Sequence, residues 1–194
     1  GFHTLINFRM NGNRDKNRST GKYDGVLQIQ NPICICCRCM EYLVAEGESG
    51  VNPADAEFFV GIRRLCDERG ILLIIDEVQT GLARTGRWFG FHHHGIRADI
   101  VTVAKALGNG VPIGAVWAPT GIASAFKPGD HGSTFGGQPL AAAAAREVLR
   151  VMEEIDAPSL AVDRGAELTE LLGALPGVTE VRGLGLLLAA ELDG

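Results

Sequence analysis

Two short runs constrain the fold more than any other feature: ILLIID at 71–76 and DIVTVA at 99–104. A strand with one face in water alternates apolar and polar residues, whereas an unbroken apolar run reads as a strand covered on both faces, the habit of parallel sheets. PIGAVWA at 112–118 reads as a third such strand. Ahead of the first lies NPADAEFFVGIRRLCDERG, which opens on a capping signal at Asn52 with Pro53 next. It spaces its apolar residues at helical intervals and stops at Gly70. Helix and buried strand in alternation predict an α/β fold, a mostly parallel sheet with flanking helices.

Beyond GSTFGGQP the pattern changes. Two long helical stretches, 139–155 and 158–174, are separated near Pro158, and VTEVRGLGLLLAAEL at 178–192 reads as a hairpin or a pair of short strands. This tail is expected to begin a smaller α+β domain. Residues 1 to about 40 show no sustained period, and within them the polar, turn-rich MNGNRDKNRSTGKYDG at 10–25 reads as loop or disorder. No internal repeat is visible.

Composition excludes several classes. With 46% hydrophobic and 21% charged residues in 194, the chain reads as an ordinary soluble globular protein. Its longest wholly aliphatic run, ILLII, is far short of a membrane span, and GFHTLINFRMNGNRD lacks the order of a signal peptide, so no membrane partner and a cytoplasmic location are expected. A net charge of −5 without a basic stripe argues against nucleic acid. The chain begins at Gly1 and reads as a piece of something longer. Four of the five cysteines crowd into CICCRC, leaving Cys66 alone. A zinc site needs a second pair of ligands at a distance, so no metal is expected and reduced thiols are the better reading. Adjacent histidines at 92–94 point in different directions and read as structural.

The chemistry gathers at two residues. Lys105 carries the only charge from Ile100 through Val116, between an apolar run and a glycine-rich turn, a setting expected to solvate an ammonium poorly and favour its neutral, nucleophilic form. Asp76 ends its strand, and ligands of parallel sheets sit at the carboxyl ends of strands. Singly, Asp76 is as well read as a turn cap and Lys105 as a snorkelling surface lysine. Jointly they are what a pyridoxal-phosphate enzyme requires: a lysine for the Schiff base and an acid that keeps the ring nitrogen protonated.

LLIIDEVQTGLARTGRWFGFHHHGIRADIVTVAKALGNGVPIGAV, followed by HGSTFGGQPLAAAAA and VRGLGLLLAAEL, resembles the class III aminotransferases of pyridoxal-phosphate fold type I, nearest the acetylornithine and ornithine aminotransferase branch. The likeness covers about 47–194. It implies residues 47–140 as part of a large cofactor-binding domain, 141–194 as a connecting helix and the start of a small C-terminal domain, and 1–46 as an unmatched segment. It implies Lys105 as the Schiff-base residue and Asp76 as partner of the ring nitrogen. Glu77 would stand at the cofactor, Val78 on the ring face and Gln79 near the ring hydroxyl. Ser133 and Thr134 would belong to a segment that crosses a homodimer interface, Thr134 contacting the phosphate, and hydroxyls among glycines do suit an anion. Arg182 would grip a substrate carboxylate, as guanidinium forks do. The implied reaction passes an amino group from acetylornithine, ornithine or a similar diamine amino acid to 2-oxoglutarate. An inactive remnant, or an aminomutase or racemase of the same fold, stays open as an alternative. The chain departs from the family pattern at Leu43, where a glutamate is expected, at Ser49 for a glycine and at Gln138 for an asparagine. The family's N-terminal half, with its first phosphate loop and ring-stacking aromatic residue, is not in these residues.

Overall fold

Helix α1, Ala56–Arg69, is built by ordinary end chemistry: Glu57 sits in its first turn, Arg69 in its last, and Gly70 takes the left-handed conformation that ends it. The computed structural model describes residues 34–37, 51, 55–127, 130 and 132–193. The start of α1 differs from expectation. Asp55 is the N-cap residue, and Asn52 lies outside the described residues. The helix buries Phe59 and Cys66, each 1% exposed, with Ile62 beside them. These positions recur at about one and two turns and form one stripe.

The Gly70 turn delivers the chain into β2, Leu72–Asp76. Leu73 and Ile75 are fully buried in one cluster with Phe59, Cys66, Phe91, Ile96, Ala98 and Val101. Burying each large side chain of this kind is worth roughly 1.5–3 kcal/mol. Leu72, Ile74 and Asp76 are only half-buried, so the run expected to be covered on both faces is fully covered on one. An unbroken apolar run states what a strand can tolerate; which layers cover it depends on chain remote in sequence.

Strand β1, Cys34–Cys37, pairs in parallel with β2, Cys34 opposite Leu72 and Cys37 opposite Ile75. The absence of a sustained period in this part left no sign of this strand in the sequence. Cysteine behaves as a small hydrophobe and gives little periodic signal of its own. β2 pairs in parallel with β3, Ile100–Val103, with Asp76 opposite Thr102. The sheet runs β1-β2-β3-β4, and β4, Ala115–Trp117, is antiparallel to β3. Only residues 104–114 join β3 to β4. A parallel return needs a crossover of about a dozen residues or more, so this link favours a turn-back.

A short helix α2, Thr120–Ala123, precedes α3, Pro139–Glu154, and α4, Ala157–Gly173. α3 lays Ala145, Leu149 and Met152 on Leu82 and Leu107 at the carboxyl end of the sheet. The break before α4 falls at Asp156, whose φ of 46° is left-handed. Pro158 itself sits in the first turn of α4, where its missing N–H costs nothing. β5, Val178–Leu184, and β6, Leu187–Leu192, form the antiparallel hairpin. Its tip is wedged between α4 and the loop after β2. A Cβ on Gly165 of α4 would collide with the Gly185 backbone, one on Gly185 would lie 2.6 Å from the Thr85 carbonyl carbon, and Leu186 N–H donates to Arg84 O at 2.9 Å. No helix of the described residues is long and apolar enough to cross a membrane.

Candidate active site

The carboxyl ends of β2 and β3 lie side by side, and each carries one of the residues singled out from the sequence. Asp76 ends β2 opposite Thr102, and Lys105 follows Thr102 by three residues. Asp76 Oδ1 accepts from the Thr102 hydroxyl at 2.9 Å and from Val78 N–H at 3.0 Å. Both of its hydrogen bonds among the described residues fall on this one oxygen. Thr102 was not singled out from the sequence, although a lone hydroxyl in an apolar strand beside an acid-bearing one is the signal that could have found it.

Lys105 opens a 3-10 turn, Lys105–Gly108, and takes a φ of 45°, unusual for a residue with a side chain. Asn109 ends the turn with a second left-handed residue. The two reversals fold 104–114 around an open depression of 420 Å³, lined by Ala104, Lys105 and Gly110 to Gly114. Lys105 is exposed there. Among the described residues, none supplies the expected dry environment.

Glu77, the next residue after Asp76, lies inside the loop that follows β2. It is 1% exposed, and its carboxylate accepts from the Thr80 hydroxyl, from Gly90 N–H at 2.9 Å and from Phe91 N–H at 3.1 Å. Burial pushes its pKa up, opposed by these three hydrogen bonds and aided by the nearby charge of Asp76. Val78 and Gln79, the next two residues, are half-buried.

Ser133 and Thr134 stand exposed on a turn closed by Gly136 N–H to Ser133 O, and Phe135 beside them is 72% exposed. Arg182, on β5, is engaged: its Nη1 donates to Glu191 at 2.7 Å and to Glu180 at 3.1 Å, while its buried Nε has no partner among the described residues. Neither the 133–134 turn nor Arg182 borders the depression beside Lys105. The structure thus links Asp76 to Val78 and Thr102 and sets Lys105 three residues beyond Thr102.

The three histidine rings find separate partners. His92 meets the Phe89 and Phe91 rings edge-on, His93 Nε2 lies 3.1 Å from both Thr85 O and Oγ1, and His94 stacks on Phe59 at 3.8 Å. Burial lowers the pKa of all three. Among the described residues, no group of three or more histidine, cysteine or acidic side chains could hold a metal.

The aminotransferase class-III family model matches residues 35–194. The chain belongs to the class-III aminotransferases. The match begins twelve residues before 47, the first residue of the motif likeness, and it takes in most of β1. The acetylornithine aminotransferase of Bacillus subtilis is 49% identical over 152 residues, 77% of this chain and 40% of that protein. The acetylornithine aminotransferase of Methanocaldococcus jannaschii is 47% identical over 76% of this chain and 38% of its own length. Among solved structures, the acetylornithine aminotransferase of Elizabethkingia anophelis superposes with a TM-score of 0.69 at 39% identity, over 77% of this chain and 38% of that one. Ornithine δ-aminotransferase of Plasmodium falciparum gives 0.69 at 40% identity, over 76% and 39%. This class-III chain therefore spans about two fifths of the length of the relatives it matches.

Proposed function

We propose that the complete protein to which this chain belongs transfers an amino group, with pyridoxal phosphate, from acetylornithine, ornithine or a similar diamine amino acid to 2-oxoglutarate, working as a cytoplasmic homodimer. The observation that carries the reading is the placement of Asp76 and Lys105 at the carboxyl ends of neighbouring strands, in register through Thr102. The donor set suits the cofactor: an amine on an open rim, a carboxylate with both hydrogen bonds on one oxygen, and hydroxyls on a glycine-flanked turn. When bound, pyridoxal phosphate supplies an aldehyde that bonds to amines and a ring that accepts an electron pair. Lys105 would hold that aldehyde through Nζ and, once displaced by the substrate amine, carry the proton between substrate carbon and cofactor. Asp76 would hold a proton on the ring nitrogen, its Oδ1 steadied by Thr102 and Val78. Val78 would pack on the ring, Gln79 would meet its hydroxyl, and Thr134, with Ser133 beside it, would reach the phosphate bound by the other subunit. Arg182 would take a substrate carboxylate only by exchanging it for Glu180 or Glu191, its present partners.

For the 194 residues alone we infer negligible turnover, because Lys105 is exposed and neither the 133–134 turn nor Arg182 borders its depression. The deciding experiment is borohydride reduction of the complete protein with pyridoxal phosphate, followed by peptide mass spectrometry. The pyridoxyl group is expected on Lys105, and Lys105→Ala should lose both the adduct and turnover. An adduct on another lysine overturns the assignment. Asp76→Ala should cost several orders of magnitude in turnover, with Asp76→Glu keeping part of it.

A further inference from the structure

The loop from Glu77 to Phe91 contains a buried carboxylate that the proposed chemistry does not use. Glu77 Oε2 accepts from the Thr80 hydroxyl and Gly90 N–H, and Oε1 accepts from Phe91 N–H. Glu77 N–H in turn donates to Thr102 O at 2.9 Å. One residue therefore ties the start of the loop to its end, 13 positions on, and ties both to β3. The surrounding backbone leaves it little room. A Cβ on Gly81 would lie 2.7 Å from Glu77 O, and one on Gly90 would lie 3.1 Å from Thr80 Cβ.

We propose that Glu77 is a positioning residue: its carboxylate clamps the two ends of the 77–91 loop together and thereby holds the Asp76, Val78 and Gln79 corner in place. The chemical route is short. Val78, which lends its N–H to Asp76 Oδ1, lies between two clamped residues, Glu77 and Thr80. A loosened clamp frees Val78, and Asp76 then keeps only the Thr102 hydroxyl. The clamp requires an oxygen acceptor at both carboxylate positions, because each faces a backbone N–H. Glutamine fits the space and fails the chemistry, since its NH₂ group would oppose Gly90 N–H in one orientation and Phe91 N–H in the other. An opposed pair of buried donors is costly, and the loop is expected to open locally to relieve it.

As a statement about the cofactor corner the inference rests on the proposed function; as a statement about the loop it does not, and the test separates the two. Amide hydrogen exchange on the full 194-residue chain, without cofactor, compares the parent with Glu77→Gln, Thr80→Val and Thr80→Ser. Glu77→Gln should speed exchange at Gly90, Phe91 and Val78 about tenfold or more while Leu73 and Ile75 stay protected. Thr80→Val should give a smaller effect, and Thr80→Ser should behave as the parent. With pyridoxal phosphate as probe on the complete protein, Glu77→Gln should also weaken binding several-fold and shift the visible absorbance of the Lys105 adduct. Unchanged exchange at Gly90 and Phe91, or loss of protection throughout β2, overturns the clamp. Faster exchange at Gly90 and Phe91 with Val78 unmoved overturns the positioning role. A parent protein that forms no Lys105 adduct refutes the proposed function and leaves the exchange result to decide Glu77.

Discussion

The loop after β2 and the turn before α3 carry the same kind of motif, small residues and hydroxyls interrupted by aromatics, yet they end in opposite states. In the first, Thr80, Thr85 and Phe91 are buried and Glu77 satisfies three donors. In the second, Ser133 and Thr134 are exposed, Phe135 is 72% exposed and Leu140 77%. The difference lies in what each segment packs against. The first is covered by α1, α3 and the hairpin tip, all within this chain. The second turns its aromatic residue to the outside, where no described element covers it. The first segment is thus packed by the chain itself, and the second stands exposed among the described residues.

The largest test of that contrast replaces one aromatic residue in each region and compares urea unfolding. Phe59→Ala, which removes a fully buried ring stacked on His94, should cost about 3–5 kcal/mol. Phe135→Ala should stay within about 0.5 kcal/mol in the isolated chain. A comparable loss at both would mean that the 132–140 turn is packed as firmly as the sheet. A middle-sized effect is expected at Asp99, whose Oδ2 accepts from Leu73 N–H at 2.7 Å and from Arg63 Nη1 at 2.8 Å, tying β2 to α1. Asp99→Ala leaves the part-buried Leu73 N–H without its acceptor and removes one of the two ion pairs of Arg63, which keeps Asp67, and should cost about 1–3 kcal/mol by the same measurement. The exposed pair Arg150 and Glu147 is a fair control, and Arg150→Ala should leave the unfolding midpoint unchanged.

The smallest effect is a pH dependence with two opposed windows. His92, His93 and His94 have pKa values below 6.5 in the fold, so the unfolded chain takes up protons first. Their contribution is complete above 6.5 and is lost as pH falls from there through the lowered values. Glu77 runs the other way. Its pKa is raised above 4.5, so its contribution is complete below 4.5 and is lost as pH rises through the raised value. Thermal melting between about pH 7 and pH 5 should therefore show a lower midpoint on the acid side, with a smaller drop in His93→Gln. A midpoint that rises on acidification would mean that Glu77 outweighs the histidines.

Local chemistry was legible wherever neighbours in sequence supply it. The end of α1 at Gly70, the two long helices after Gln138 and the hairpin at 178–192 follow from turn chemistry and periodicity, and each is present in the structure. The placing of Asp76 and Lys105 at strand ends followed from the same patterns. The sheet edge at Cys34–Cys37 was not legible, because a strand is stabilised by its neighbour and cysteine carries no strong periodic preference. The reversed direction of β4 turned on the shortness of its link to β3, which matters only once β3 is in place. Glu77 is the sharpest case. Its burial was not legible, because only the return of Gly90 and Phe91 to within hydrogen-bonding distance made its carboxylate the centre of the loop. Sequence by itself determined most elements after residue 55, their order and the acid and amine at the strand ends, since each depends on residues a few positions apart. Tertiary structure decided which faces are covered, which carboxylate is buried and which arginine is already paired, because burial and charge pairing are set by groups brought together from distant parts of the chain.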